Sequence, residues 1–315
     1  EARAKGIERV TFLGGEPTVH KSFLPALEHA VAIGFDDIVI FTNGVKTRKA
    51  SYIDRIVALG RFEWRFSIQG GTEAAHDRVT GRRGSFQRIL DSMAHLHALG
   101  QDITANCCIN THSYESLPAY VDLVQRYGIR QLHFDQVRPE DAGVRTREYL
   151  RTIMPRYTDM APHFSEMLTR FETWDAGFDV NLGNLPYCVL PAFAHRIHHD
   201  GELTYTISVD PNAELQPAFD KYPNKRQDKH HGPRCDACVF RSRCNGIFET
   251  YAEFYGIDEF EPVSRERLLA EDPDRHHFTL LAEPWVAPLI NSPPPPGWHL
   301  DRVDRLARDR RLDVR

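Results

Sequence analysis

The chain has no initiator methionine. It opens on Glu1-Ala2-Arg3-Ala4-Lys5-Gly6, which reads as the last turns of a helix closed by glycine, so a fragment with its natural N-terminus upstream is expected. No apolar run approaches the roughly 18 residues that a membrane span needs, and no signal peptide opens the chain, so no membrane partner is expected. A basic excess is also missing. With 39 Lys and Arg against 44 Asp and Glu, the net charge of -5 leaves no electrostatic footprint for nucleic acid. Cysteine is scarce, with 6 in 315 residues and four of them in the C-terminal half. That is no secreted disulfide framework; it points to a cytoplasmic protein that uses thiolates for metal. What is present, 41% hydrophobic and 26% charged residues, suffices for one large domain and a smaller one.

From Gly6 to about Pro139, short apolar runs alternate with amphipathic stretches. The expected strands are Arg9–Leu13, Asp37–Phe41, Glu63–Ile68, Ile103–Asn110 and Gln131–Val137. The expected helices are Phe23–Ile33, Ala50–Leu59, Ser85–Leu99 and Leu117–Tyr127, several followed by a glycine (Gly34, Gly60, Gly100, Gly128). Such β-α alternation implies a parallel sheet covered by helices. Within the fourth strand Ile103, Ala105, Cys107 and Ile109 share one face, and Thr104, Asn106, Cys108 and Asn110 share the other. Arg65, Ser67 and Gln69, and then His133 and Asp135, repeat the pattern. A closed eight-stranded barrel fills its lumen with branched apolar side chains, so a polar lumen implies an open, partial barrel around a polar ligand. Arg145 to about Gly177 reads as helical. Val180–Val263 has a different character, and the tail from Ser264 is charged and proline-rich. The expected organisation is therefore 1–145, a helical connection 146–179, a cysteine-rich module 180–263 and a tail 264–315.

The first strand ends in Leu13-Gly14-Gly15-Glu16-Pro17. Two glycines let the backbone approach a ligand, and Pro17 stops the strand. Backbone carbonyls and a carboxylate there suit capture of an amino group, although an ordinary strand-to-helix loop would read the same. The second signal is Cys235-Asp236-Ala237-Cys238 followed by Cys244 and Gly246, with Cys188 as the natural fourth ligand. Four thiolates suit either structural zinc or a [4Fe–4S] cluster, and spacing does not separate the two. Arg234, Arg241 and Arg243 flank these cysteines, where they would offset cluster charge. Cys107 and Cys108 read as structural, and Lys229-His230-His231 as a solvated loop.

Taken in order, Gly14-Gly15-Glu16-Pro17, Phe41-Thr42-Asn43-Gly44, Phe66-Ser67-Ile68-Gln69-Gly70, His76-Asp77-Arg78-Val79-Thr80-Gly81 and Gly84-Ser85-Phe86 resemble the radical S-adenosylmethionine superfamily over roughly residues 6–140. The cysteine set at Cys188, Cys235, Cys238 and Cys244 resembles the auxiliary-cluster modules called SPASM or twitch domains, the smaller twitch type in particular. The resemblance implies an α/β fold: a partial (β/α)6 TIM-like barrel lacking its first strand, followed by a small α+β cysteine-rich module. It also implies that Gly14, Gly15, Glu16 and Pro17 bind the methionyl amine of S-adenosylmethionine. By the same resemblance Ser67 and Gln69 meet its ribose and carboxylate, Thr42 and Asn43 line the same pocket, Asn106 faces the lumen and Arg138 meets the carboxylate.

The family's hallmark C-x-x-x-C-x-x-C, which holds the catalytic [4Fe–4S] cluster, is not among these residues. It is expected upstream of Glu1, so the parent protein would carry the catalytic cluster and this fragment would be inactive. Cys188, Cys235, Cys238 and Cys244 would hold the auxiliary [4Fe–4S] cluster. The activity implied for the parent is reductive cleavage of S-adenosylmethionine and hydrogen abstraction from a peptide or protein side chain, with an electron donor such as flavodoxin or ferredoxin. Two alternatives stay open: a radical enzyme acting on a small molecule, and a non-enzymatic β/α binding protein stabilised by zinc or a cluster.

Overall fold

Alternating apolar and polar residues build the strands of one sheet in the order β1 (Arg9–Phe12), β2 (Asp37–Thr42), β3 (Glu63–Ser67), β4 (Asp102–Ile109), β5 (Ile129–Gln136), β6 (Asp179–Gly183) and the two-residue β7 (Ile197–His198). The pairs β1–β2, β2–β3, β3–β4 and β4–β5 are parallel. This computed structural model describes residues 3, 8–138, 146–198, 205–206, 219–220, 228–272, 303–306 and 311–314. It divides into two compact units, Glu1–Val137 with Pro162–Asn181 and Arg138–Ala161 with Leu182–Arg315, the boundary falling inside β6.

In the first unit, crossovers run through α1 (Phe23–Ala32), α2 (Ala50–Val57), α3 (Glu73–Thr80) with α4 (Ser85–Ala98), and α5 (Tyr120–Tyr127). The outer face of the sheet is apolar because helices cover it. Ile103, Ala105, Cys107 and Ile109 are buried, Phe12 meets Phe23 of α1 edge to face, and Phe134 meets Tyr120 of α5 in the same way. Each fully buried isoleucine or phenylalanine among them contributes about 1.5–3 kcal/mol. The result is the open α/β barrel expected from the strand pattern, with β1–β5 within two residues of the expected bounds.

Three local differences have physical causes. Glu73–Thr80 is a helix although no apolar stripe announces it: Thr72 caps its start by accepting from Ala75 N–H, and Gly81, at φ 65°, ends it. The helix expected from Leu117 begins as a 3-10 turn, Tyr114–Ala119, that holds Pro118. The helical stretch after residue 145 breaks into α6 (Arg147–Ile153) and α7 (Tyr157–Asp175) around Met154-Pro155-Arg156, since a residue before proline disfavours helix. The part of α7 in the first unit packs through Phe164 against Phe134, and Arg170 donates to Pro118 O and to Asp122.

The inner face is polar and layered, as parallel register requires. Arg65 lies opposite Thr104, which lies opposite Gln131; Ser67 lies opposite Asn106, which lies opposite His133; Cys108 lies opposite Asp135. In the layer nearer the strand starts, Arg65 donates to Glu63 at 2.6 Å and to Thr104 at 3.1 Å, and Thr104 donates to Glu63 at 2.9 Å. These groups satisfy one another in the interior, which is what keeps buried charge tolerable.

The second unit is built from short elements. A two-stranded antiparallel pair joins Lys229–His230 to Ile247–Phe248, and the helix Glu249–Tyr255 follows. Its core is aromatic: Tyr157 and Tyr251 lie 4.5 Å apart between ring centroids, Phe260 packs on both, and Tyr187 stacks on Phe240 at 4.7 Å. The expected tail 264–315 is described in part, as the helix Arg265–Glu271 and the antiparallel pair Val303–Leu306 with Arg311–Val314. Among the described residues no helix is long and apolar enough to cross a membrane.

Candidate active site and metal centre

The turn after β1 is shaped by its glycines. Gly14 (φ 94°) and Gly15 (φ 56°) take left-handed backbone, and a Cβ at either would meet nothing within 4 Å. An open cleft of about 640 Å³ runs along Leu13, Gly14, Gly15, Glu16 and Pro17 toward Phe23 and Ala26 of α1. Leu13 and Val19 are 65% and 52% exposed at its edge.

Glu16 does more than its place in the turn predicts. One carboxylate oxygen accepts from Thr18 N–H at 3.2 Å, from the Thr18 hydroxyl and from Thr42 Oγ1 at 3.0 Å. The other accepts from Asn43 N–H at 2.5 Å. Glu16 thereby caps the 3-10 turn Pro17–Val19 and ties the end of β1 to the end of β2. Three donors crowd one oxygen and a single donor meets the other, so Oε2 keeps an acceptor position. An ammonium in this turn would find that position together with backbone carbonyls. Thr42 Oγ1 also accepts from Gly44 N–H, and Asn43 Oδ1 from Val45 N–H, so the rim of β2 is set by its own side chains. Tyr52 of α2 donates to Thr18 O at 2.7 Å. Neither Thr18 nor Tyr52 carries a signal in the sequence.

The ends of β3 and β4 form the next part of the same rim. Ser67 Oγ donates to Asn106 Oδ1 at 3.3 Å. Gln69 Oε1 accepts from Cys108 N–H, and Gln69 N–H donates to His76 Nδ1 at 3.0 Å. Burial lowers His76 to about 4, so it is a neutral acceptor that holds the Gln69 backbone in place. Its neighbour Asp77 accepts from Gly84 N–H, from Ser85 Oγ at 2.8 Å and from Phe86 N–H at 2.9 Å, which starts α4. Burial opposes ionisation of Asp77, but these donors outweigh it and hold the carboxyl below its ordinary value. The His76–Phe86 stretch is thus a brace for the Gln69 loop. His133 and Asp135 share a hydrogen bond of 2.8 Å on the inner face, where Cys108 is exposed and Cys107 is buried on the opposite side.

The structure therefore brings Glu16, Thr42 and Asn43 into one hydrogen-bonded group and Ser67, Gln69 and Asn106 into a neighbouring one on the same sheet. Arg138 falls in the other unit, with its guanidinium 3.6 Å from the Asp228 carboxylate.

In the second unit Cys188, Cys235, Cys238 and Cys244 line one cavity with Tyr187 and Phe240. Successive tight turns aim them: Cys238 N–H donates to Cys235 O, Arg241 N–H to Cys238 O, and Cys244 N–H to Phe240 O. Cys188 sits in the 3-10 turn Tyr187–Val189. Gly246 N–H donates to Cys244 Sγ at 3.3 Å, and a Cβ at Gly246 (φ 88°) would lie 2.3 Å from His230 O. Burial and then the other three thiols push Cys188 up to about 12. Burial raises Cys244 as well, against hydrogen bonds from the Gly246 and Tyr187 amides. Four thiolates so placed repel one another unless a cationic group lies between them, and that fits a metal centre.

Among the described residues no three such groups converge tightly enough for a single metal ion. A zinc ion with Zn–S bonds of about 2.3 Å needs the sulfurs in near contact, whereas a polynuclear cluster spreads its ligands. The four cysteines that line this cavity are the residues that would hold a [4Fe–4S] cluster. The sulfur's hydrogen-bond donors are backbone amides, while Arg241 is turned toward Asp236 at 3.3 Å. Of the expected solvated loop at residues 229–231, Lys229–His230 is instead a half-buried strand, and His231 Nε2 lies 2.8 Å from Cys244 O at the cavity wall.

Comparison with known proteins agrees with this rim of glycine turn and strand ends. The model of the radical SAM superfamily matches residues 1–136. Residues 1–136 are thus similar to that superfamily. The chain is 27% identical over 150 residues to the PqqA peptide cyclase of Xanthomonas euvesicatoria pv. vesicatoria, covering 48% of this chain and 40% of that protein. It is 22% identical over 143 residues to a probable GTP 3',8-cyclase of Saccharolobus solfataricus, covering 45% and 46%. The chain thus spans less than half the length of these curated relatives. The fold is similar to that of Streptococcus suis SuiB in a crystal structure with its precursor peptide SuiA, with TM-score 0.53 and 17% identity over 84% of this chain and 65% of that one. The similarity extends past residues 1–136 and so includes residues of the second unit.

Proposed function

We propose that the protein to which this chain belongs is a cytoplasmic radical SAM enzyme acting on a peptide. The observation that carries the reading is that one chain holds both a glycine turn at Gly14–Pro17 beside an open cleft and a cavity lined by four cysteines. When bound, S-adenosylmethionine and a reduced [4Fe–4S] cluster supply a 5′-deoxyadenosyl radical that takes a hydrogen atom from the substrate. This chain's residues bind and position. Carbonyls of the glycine turn accept from the methionyl ammonium, and Ser67, Gln69 and Asn106 offer hydroxyl and amide groups to ribose and carboxylate. Cys188, Cys235, Cys238 and Cys244 would hold an auxiliary [4Fe–4S] cluster. The inner face, polar through Asn106, His133 and Asp135, accepts a polar substrate group, while the packed outer face excludes water. A peptide substrate is favoured by the likeness to a protein named for cyclising a peptide and to one solved with its precursor peptide. A nucleotide substrate is the second reading, favoured by the likeness to a GTP cyclase. Electrons would come from a flavodoxin- or ferredoxin-type donor.

The test uses the full-length protein purified without oxygen. Iron and sulfide are measured, and S-adenosylmethionine and dithionite are then added with deuterated peptide or with deuterated GTP. Deuterium in 5′-deoxyadenosine only with peptide is expected. Zinc without sulfide at the four cysteines, or no 5′-deoxyadenosine from iron-replete protein, would overturn the reading.

A further inference from the structure

One cavity in the second unit has no part in the chemistry above. It holds about 190 Å³ and is walled by Tyr157, Ala161, Cys188, Glu259, Phe260 and Glu261, among others. At about 30 Å³ per water, that is space for about six waters, or for the flat head and stem of a long side chain.

Its polarity is one-sided. The Glu259 side chain is only 5% exposed. Glu259 accepts from Tyr251 Oη at 2.5 Å and from Thr158 N–H at 3.0 Å, which orients it and uses two of about four acceptor positions. Arg156, itself 45% exposed, makes a long ion pair with it at 3.8 Å, beyond hydrogen-bond distance, so the remaining acceptor positions of the carboxylate stay open to a second cation. Glu261 is exposed and makes no ion pair among the described residues. The one basic residue in the wall, Arg267, is turned to Glu271 at 2.7 Å and does not neutralise the pocket. Phe260 and Tyr157, with ring centroids 5.4 Å apart, supply aromatic surface. A buried carboxylate in an aromatic cavity is costly unless a cation answers it, and aromatic faces attract the same cation. A bare metal ion does not fit, since no group of three ligands converges here among the described residues.

We propose that this cavity receives the basic side chain, arginine or lysine, of the peptide substrate, with Glu259 as its anion and Glu261 at its mouth. This rests on the peptide reading above and specifies it: the peptide carries a cation that docks beside Cys188.

The experiment titrates the full-length protein with Nα-acetyl-arginine methylamide and with its neutral isostere, the citrulline analogue, by calorimetry. The arginine probe is expected to bind at least about tenfold more tightly, the scale of a charge-assisted hydrogen bond. Glu259→Gln should remove that preference and Glu261→Gln should weaken it severalfold. Ala161→Leu should fill the cavity and abolish binding of both probes. If Glu259→Gln fails to fold, Glu261→Gln and Ala161→Leu still decide. Equal affinity for the two probes, or unchanged arginine binding in Ala161→Leu, would overturn the proposal. Deuterium transfer from a peptide with no arginine preference sinks the cavity assignment and leaves the peptide reading standing. An arginine preference with deuterium transfer from GTP alone sinks the peptide reading.

Discussion

Replacing Glu16 by glutamine tests whether its carboxylate is a clamp between strands or a ligand to an amine. The carboxylate takes four donors, from Thr18 twice, Thr42 and Asn43. A glutamine carbonyl has two acceptor positions, and its NH2 would face donors, so two of the four bonds are lost with the charge. A charge-assisted bond contributes about 1.5–3 kcal/mol when buried, and less here because Asn43 is exposed and its N–H can turn to water. About 2–3 kcal/mol of stability is therefore at stake, or about 5–10 °C in the thermal midpoint of a domain this size. Thermal and urea unfolding of Glu16→Gln, Thr18→Val and the double variant give the coupling directly. A coupling of about 1 kcal/mol is expected, since the Thr18 hydroxyl bonds only where the carboxylate stands. If Glu16→Gln leaves the midpoint unchanged and couples to nothing, while binding of S-adenosylmethionine drops, the clamp is wrong and the carboxylate faces the ligand.

Two further outcomes follow from the same geometry. His76 is held neutral by burial down to about 4, below its ordinary 6.5, so between these values the folded chain binds fewer protons than the unfolded one. Stability should fall as pH drops from about 6.5 to 4, by on the order of 3 kcal/mol, and His76→Gln should flatten that part of a urea-midpoint profile; identical slopes would refute it. At Gly246, alanine must place its Cβ 2.3 Å from the His230 carbonyl at a φ of 88°. The residue 229–230 strand must then shift, at a cost of at least about 2 kcal/mol, and the amide bond to Cys244 goes with it. Iron and sulfide per chain should fall in parallel with the urea midpoint, and full iron content at an unchanged midpoint would contradict the argument.

The barrel was legible because burial writes a period into the chain. Ile103, Ala105, Cys107 and Ile109 alternate with Thr104, Asn106 and Cys108, so one set packs in the apolar layer and the other faces the polar inner side. α3 was invisible for the opposite reason: of Glu73–Thr80 only His76 is buried, so caps rather than packing define it. The glycine turn and the cysteines could be read as sites because each needs a particular residue at a particular spacing. What lay beyond reading was the direction of side chains. Nothing in the order of residues says that Glu16 turns back onto Thr18 and Thr42, or that amides rather than arginines serve Cys244. His231 was misjudged as solvated because its partner is a backbone carbonyl, which leaves no mark in sequence.

The Arg65–Glu63–Thr104 layer across the inner face spends its donors and acceptors on itself. What that face offers a ligand is the row nearer the strand ends, so a substrate group is read there by the hydroxyl of Ser67 and the amide of Asn106 rather than by the Arg65–Glu63 charge pair.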